Sequence, residues 1–241
     1  MRFKDIPWLG RAAAAPAVAP TDYSNLEAWW DAAALSYADN TAIDATNVFT
    51  DRSSNARHAS QATATNQPLC KTNIINGNRV VRFDGVDNFL SFTSINPANL
   101  DYTIIFVGTA PTATDGILLG ASGVNIQFRM NLSGNNVISS YLNSQTSTSN
   151  TFGTASSGVR MSTWRRNGGN SGLKFRENKT DRSPAVSDGS SFTLEWMGSY
   201  WFATPYFTGD VGELLVYKNN LADADVDNLY DNYFKPKWGL P

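Results

Sequence analysis

Two acids three residues apart, Asp210 and Glu213, stand in an apolar run near the end of the chain. Paired carboxylates on one face of a strand are the machinery of a retaining glycosidase, which needs them about 5 Å apart. Strand side chains alternate, so an offset of three puts the pair on opposite faces unless a bulge intervenes. No Glu-x-Asp-x-Glu string supplies the period of two, and no catalytic residue is assigned on this spacing.

Other reactive side chains are sparse. His58 is the single histidine and lies in a polar loop, without a second histidine or a reactive cysteine for a triad or a zinc site. Cys70 is the single cysteine, so no intrachain disulfide forms, and it reads as a buried thiol. Asp84, Asp87 and Asn88 could offer oxygens to calcium, but Asp-Gly and Asp-Asn pairs are also what tight turns use, and turn chemistry is the favoured reading. No other cofactor is expected. Seven basic residues, Arg160, Arg165, Arg166, Lys174, Arg176, Lys179 and Arg182, fall in one stretch beside Trp164. Without an RNA-binding motif they read as the solvated outer face of a hairpin, with an acidic neighbouring subunit or an anionic glycan as the second reading. In Ser199–Phe207, five of nine residues are aromatic. Sugars stack their apolar faces on exposed rings, which makes Tyr200, Trp201 and Tyr206 the candidate glycan contacts; the competing reading is that these rings seal the edge of the fold.

These groups need a scaffold, and the end of the chain supplies its clearest pattern. Gly209–Tyr217 reads as a strand covered on both faces. After the turn at Lys218–Asn220, Val226, Leu229, Tyr230, Tyr233 and Phe234 form one stripe of a helix, with Asp223 and Asp225 in its first turn and Pro236 as its stop. Upstream, Leu26–Leu35 opens the domain. Val81 and Phe83, then Asp84-Gly85, then Leu90 and Phe92 read as a hairpin. Residues 102–108 form a continuous β-branched and aromatic run, and 124–130 alternate cleanly, with further strands at 136–142, 159–164, 173–175 and 192–198. The predicted fold is all-β: a two-sheet antiparallel jelly-roll sandwich with one C-terminal α-helix.

Several of these segments carry a family resemblance. Trp30-Asp31-Ala32, the Asp51-x-Ser53 loop, the Asn76–Phe92 segment and the closing Gly-Asp-Val-Gly-Glu strand, acidic helix and Lys237-Trp238-Gly239 ending are together similar to concanavalin A-like lectin/glucanase domains of the laminin-G-like type. Family chains usually place a Ser where this one has Ala222, so Asn220 or Asp223 would have to cap the helix. The resemblance spans residues 26–240, in pattern only between 110 and 190, and implies a lectin-like module.

At 241 residues, 41% hydrophobic and 17% charged, with a net charge of −2, the chain can bury a large core and carries no whole-molecule attraction to nucleic acid or acidic membranes. No run approaches the roughly 18 apolar residues of a membrane span. Residues 1–20 read as an extended arm ahead of a single domain at 21–241: an apolar cluster of Phe3, Ile6, Pro7, Trp8 and Leu9, then an Ala/Pro spacer. Arg11, Asp5 and the prolines do not suit a secretory signal. The arm either folds back or docks onto another protein. The expectation is a non-enzymatic, virion-displayed decoration protein, anchored through Phe3, Ile6, Trp8 and Leu9, homo-oligomeric, and open to binding host or environmental glycans. A tail-fibre component or secreted surface lectin is the alternative, and a glycanase the least favoured.

Overall fold

The computed structural model describes residues 18–96, 101–110, 116–121, 127–130, 137–141, 150–154, 158–167, 171–182, 192–199 and 205–241. In chain order the strands are β1 (Leu26–Asp31), β2 (Thr41–Ala42), β3 (Leu69–Ile75), β4 (Asn78–Asp84), β5 (Leu90–Ile95), β6 (Tyr102–Thr109), β7 (Gly116–Gly120) and β8 (Gln127–Met130). They continue with β9 (Val137–Tyr141), β10 (Asn150–Thr154), β11 (Arg160–Asn167), β12 (Ser171–Glu177), β13 (Thr180–Asp181), β14 (Leu194–Met197) and β15 (Thr208–Tyr217). The chain ends in a helix of three parts: α1 (Asp223–Leu229), a π turn (Tyr230–Phe234) and α2 (Lys235–Trp238).

Two antiparallel sheets face each other. The larger runs β13-β12-β11-β6-β15-β4-β3-β2, with β1 also paired to β15; the smaller runs β10-β9-β8-β7-β14-β5. This is the predicted sandwich with its C-terminal helix. Strands β6 and β15 lie at the centre of the larger sheet and are covered on both faces. Ile104, Phe106, Leu214 and Val216 point between the sheets. Ile105, Val107, Leu215 and Tyr217 point outward, under the helix residues Val226, Leu229, Tyr230, Phe234 and Trp238. That double burial explains the absence of alternation in both runs. Each such side chain contributes about 1.5–3 kcal/mol by leaving water. The same logic separates the neighbouring tryptophans of β1: Trp30 enters the inter-sheet core, 4.7 Å from the Phe92 ring, while Trp29 lies under the helix.

The segment Asn76–Phe92 is not one hairpin. Strand β4 pairs with β3 and β15 in the larger sheet, and β5 pairs with β14 in the smaller one, so Asp84–Phe89 is an arch between sheets. The pattern was ambiguous because Val81, Phe83, Leu90 and Phe92 all enter the inter-sheet core, as a hairpin's inward face would. The hairpin in this region is β3–β4, turned by Asn76 and Gly77, both with positive φ (49° and 77°). Asn-Gly is the usual sequence for such a turn.

The helix start and stop also differ from expectation. Neither Asn220 nor Asp223 caps it. Ala222 occupies the N-cap without a side-chain acceptor, and the Asp225 carboxylate reaches back to the Ala222 amide at 3.3 Å, giving half of a capping box. Pro236 does not end the helix. The π turn lets the Lys235 amide donate to the Tyr230 carbonyl and opens a new first turn, where a proline has no intrahelical partner to lose. The end comes at Gly239, in the left-handed conformation (φ 66°), and the side-chain amides of Asn76 and Asn78 donate to the Lys237 carbonyl at 3.1 and 2.7 Å.

At the other end of the chain, packing starts before residue 21. Val18 lies against the outer cluster, and the Pro20 carbonyl accepts from the Tyr217 hydroxyl at 2.9 Å. The anchor residues Phe3, Ile6, Trp8 and Leu9 lie outside the described residues.

Candidate functional site

Asp210 and Glu213 are on one face after all. The pairing of β15 with β6 runs Asp210↔Thr109, Val211↔Gly108, then Glu213↔Val107, so Gly212 is an extra residue, and Val211 and Leu214 both enter the inter-sheet core. The bulge that the alternation argument left open is present. The two acids nevertheless do not converge on a substrate groove. Asp210 takes a bidentate pair from Arg82 (2.6 and 2.9 Å). Glu213 is fully buried beneath the helix.

Four donors surround Glu213: Trp29 Nε1 at 2.6 Å and Tyr233 Oη at 2.8 Å on Oε1, Lys237 Nζ at 2.8 Å and Trp238 Nε1 at 2.7 Å on Oε2. Asp31, its direct cross-strand neighbour, is held to the same Lys237 ammonium at 2.8 Å, which bridges two like charges. Burial pushes the Glu213 carboxyl up, Asp31 adds to this, and Lys237 and Trp238 oppose it. Lys237 also donates to Tyr233, whose proton then goes to Glu213, so every contact on the acid is a donor and the set suits a carboxylate. The sequence motif contained Glu213, Lys237 and Trp238 but gave no sign that they meet.

Only Lys174, Lys179 and Arg182 of the basic stretch lie on the solvated face. Arg160, Arg165 and Arg166 are at most 2% exposed, and Arg176 is 8% exposed. Alternation along β11 sends Arg166 over the Tyr102 and Phe192 rings and Arg165 to the helix side, where it donates to the Leu221 carbonyl at 2.6 Å and pairs with Asp223. Arg176 pairs with Asp227 at 2.9 Å and Lys179 with Asp231 at 2.8 Å. The acidic partner of this stretch is the chain's own helix, whose charges sequence distance had hidden.

Asp223 titrates low because the Arg165 guanidinium donates to it. A carboxyl depressed in the folded state adds stability above its ordinary value of 3.8, and that stability is lost as pH falls through the folded value. Asp223→Asn is therefore expected to lower the urea midpoint at pH 6, with the gap to wild type closing below about pH 3.8. A gap that does not narrow as pH falls below 3.8 would assign the effect to something other than the charge.

The Asp51 loop is pinned rather than loose. Asp51 is 4% exposed and accepts from Trp29 N, Arg57 N and Ser53 Oγ, each at 2.8 Å, and from Ser53 N at 2.9 Å. His58 Nδ1 accepts the Asp51 amide at 3.1 Å, a loop contact. Cys70 is buried, and burial pushes its thiol up.

At the arch between β4 and β5, Asp84 Oδ1 accepts the Val86 and Asp87 amides (2.9 and 3.4 Å), and Asn88 Oδ1 accepts the Asp84 amide (3.2 Å). Calcium takes six to eight oxygens. Two of the three candidate side chains here are engaged by turn amides, and no group of three or more His, Cys, Asp or Glu is placed to hold a metal among the described residues. The residues do not fit calcium. One further predicted residue approaches the arch: Tyr206 stands two positions before Thr208, which pairs with Asp84 at its foot. Burial pushes the Tyr206 phenol up, and the Asp87 charge adds to it. Both residues are half-buried, and Val86 beside them is 69% exposed. Tyr206 is fixed by a parallel bridge to Ile117 at the start of β7. Tyr200 and Trp201 lie outside the described residues. A partly exposed ring with a neighbouring carboxylate can offer a stacking surface and a hydroxyl acceptor.

The fold is a β-sandwich of two antiparallel sheets joined by the arch at Asp84–Phe89. No protein-family model matches the chain, and no curated protein matches it in sequence. Solved structures do match. Domain 4 of AbnA, a GH43 extracellular arabinanase from Geobacillus stearothermophilus, in complex with arabinotriose, aligns over 86% of this chain and 98% of its own at 14% identity, TM-score 0.58. Trypanosoma rangeli sialidase in complex with 2,3-difluorosialic acid aligns over 86% of this chain at 12% identity, TM-score 0.58, and the chain spans only 33% of that enzyme. The binding domain of Paraclostridial Mosquitocidal Protein 1 aligns over 90% of this chain and 55% of its own at 11% identity, TM-score 0.55. At such identities the likeness is one of fold, compatible with the concanavalin-like or jelly-roll class.

Proposed function

We propose that this chain is a non-catalytic module that binds glycans through the arch around Asp87 and Tyr206. The observation that carries this reading is the match, over nearly its whole length, to an arabinanase domain solved with arabinotriose. The lack of catalysis is supported by Asp210 and Glu213, which are held by Arg82 and by the helix respectively and present no acid pair to a groove. A glycan array followed by calorimetry with arabinotriose tests the reading. Tyr206→Ala is expected to weaken binding about tenfold, the size of one lost ring contact of about 1.4 kcal/mol. Unchanged affinity in the variant would remove the arch, and no binding to any glycan would remove the reading.

The finer placement rests on the sequence. An apolar cluster on an Ala/Pro spacer supports display of the module on a virion, as a decoration protein or tail appendage, through Phe3, Ile6, Trp8 and Leu9. Deleting residues 1–12, which removes the anchor residues but keeps Val18 and Pro20, is expected to abolish attachment to particles while leaving the fold intact by circular dichroism. Unchanged occupancy would refute the anchor.

A further inference from the structure

The sandwich carries a second concavity, on the opposite side of the larger sheet from the inter-sheet core. At the C-terminal end of the helix, a groove of about 330 Å³ opens to solvent between Ile74, Ile75, Asn76, Thr109, Val159 and Trp238, with Gly239 at its rim. That volume is at the lower end of ligand pockets. Its walls combine aliphatic carbon with one hydroxyl and one amide over the buried Trp238 ring, and no charged side chain lines it among the described residues.

Three features hold this groove open and in shape. Trp238 is fixed from both sides: its Nε1 donates to the buried Glu213, and its ring covers the bulge residue Gly212, where an added Cβ would lie 2.9 Å from it. Asn76 is fixed by donating to the Pro236 and Lys237 carbonyls, which leaves its amide oxygen as an acceptor. The third feature is in β3. Between the pairs Lys71↔Val80 and Ile75↔Asn78, β3 carries Thr72, Asn73 and Ile74 against the single Arg79 of β4, and Asn73 is left-handed (φ 57°). This distortion leaves Ile74 37% exposed beside the groove.

We infer that this groove is a second ligand site, which takes one neutral sugar unit. A sugar ring has an apolar C–H face and a hydroxyl edge. Here the face would lie on Ile74 and Val159, above the buried Trp238 ring, and the edge would meet Thr109 Oγ1 and the Asn76 amide oxygen. The absence of charge among the described lining residues disfavours anionic sugars such as uronic or sialic acids. This inference rests on the glycan-binding reading above and adds a site on the other side of the sheet from the core.

The test is an amide NMR titration of the full chain with arabinotriose and a set of neutral trisaccharides. Two groups of shifts are expected, one at Asp87 and Tyr206 and one at Ile74, Asn76, Thr109, Val159 and the Trp238 indole. Thr109→Val and Ile74→Asp, both at partly exposed positions, are expected to weaken the second set at least tenfold and leave the first unchanged. Tyr206→Ala is expected to do the reverse. Saccharide shifts confined to the arch, unaltered by the two groove variants, would overturn the groove while the glycan reading stands. Silence toward every sugar would end both. Tighter binding of an anionic sugar than of its neutral counterpart at the groove would overturn the ligand class.

Discussion

Replacing Glu213 with Gln is expected to cost the fold about 3–5 kcal/mol, the usual penalty for removing one member of a buried charge pair. The carboxylate has donors on all sides: two indoles, a phenol and an ammonium. An amide of the same shape turns its own N–H groups toward one half of that set. The Trp29 and Tyr233 pair, or the Lys237 and Trp238 pair, then faces a donor instead of an acceptor. Lys237 is also left beside Asp31 alone, and an unsatisfied buried donor carries its full desolvation penalty. Urea unfolding followed by tryptophan fluorescence measures the loss, and a red shift of the native spectrum would mark loosening of the helix from Trp29 and Trp238. A variant within 1 kcal/mol of wild type would show that the network holds the helix far less than its geometry implies.

Gly108→Ala is expected to destabilise by about 3 kcal/mol, at the upper end of what overpacking costs. Gly108 sits on β6 opposite Val211, where β15 makes its bulge, and an added Cβ would lie 2.0 Å from the Asp210 carbonyl and under 3 Å from the Phe106 ring. A carbonyl in a central strand cannot swing aside as a long side chain can, so the bulge itself would have to shift. Because the bulge puts Val211 and Leu214 on one face, and Asp210 and Glu213 on the other, the change reaches Arg82 and the helix together. Thermal unfolding with proton exchange on the β15 amides is the measurement. Unchanged exchange there would refute the coupling.

What the sequence could say depended on how local each feature is. Strands β6 and β15 and the helix were legible because period and composition are carried by consecutive residues. The bulge at Gly212 was not, since a single extra residue leaves the local composition unchanged and shows only in the pairing with β6. The arch at Asp84–Phe89 imitated a hairpin because both sheets draw their inward residues from the same alternation. The basic stretch was misread for a related reason: Asp223, Asp227 and Asp231 lie some fifty residues away, and period-two reasoning cannot tell water from a helix laid over a sheet. Of the candidate site, Tyr206 and Asp87 were both singled out, but their proximity joins two separate loops and could not be read from spacing.

Strand β15 is the seam of the larger sheet, paired with β6 along one edge and with β4 and β1 in succession along the other. Without it, β1 has no partner among the described strands, and β4 and β6 each keep an open edge. Such edges recruit other chains. A substitution that dislodges this one strand therefore opens several edges of the larger sheet at once, and such a variant is a natural seed for aggregation.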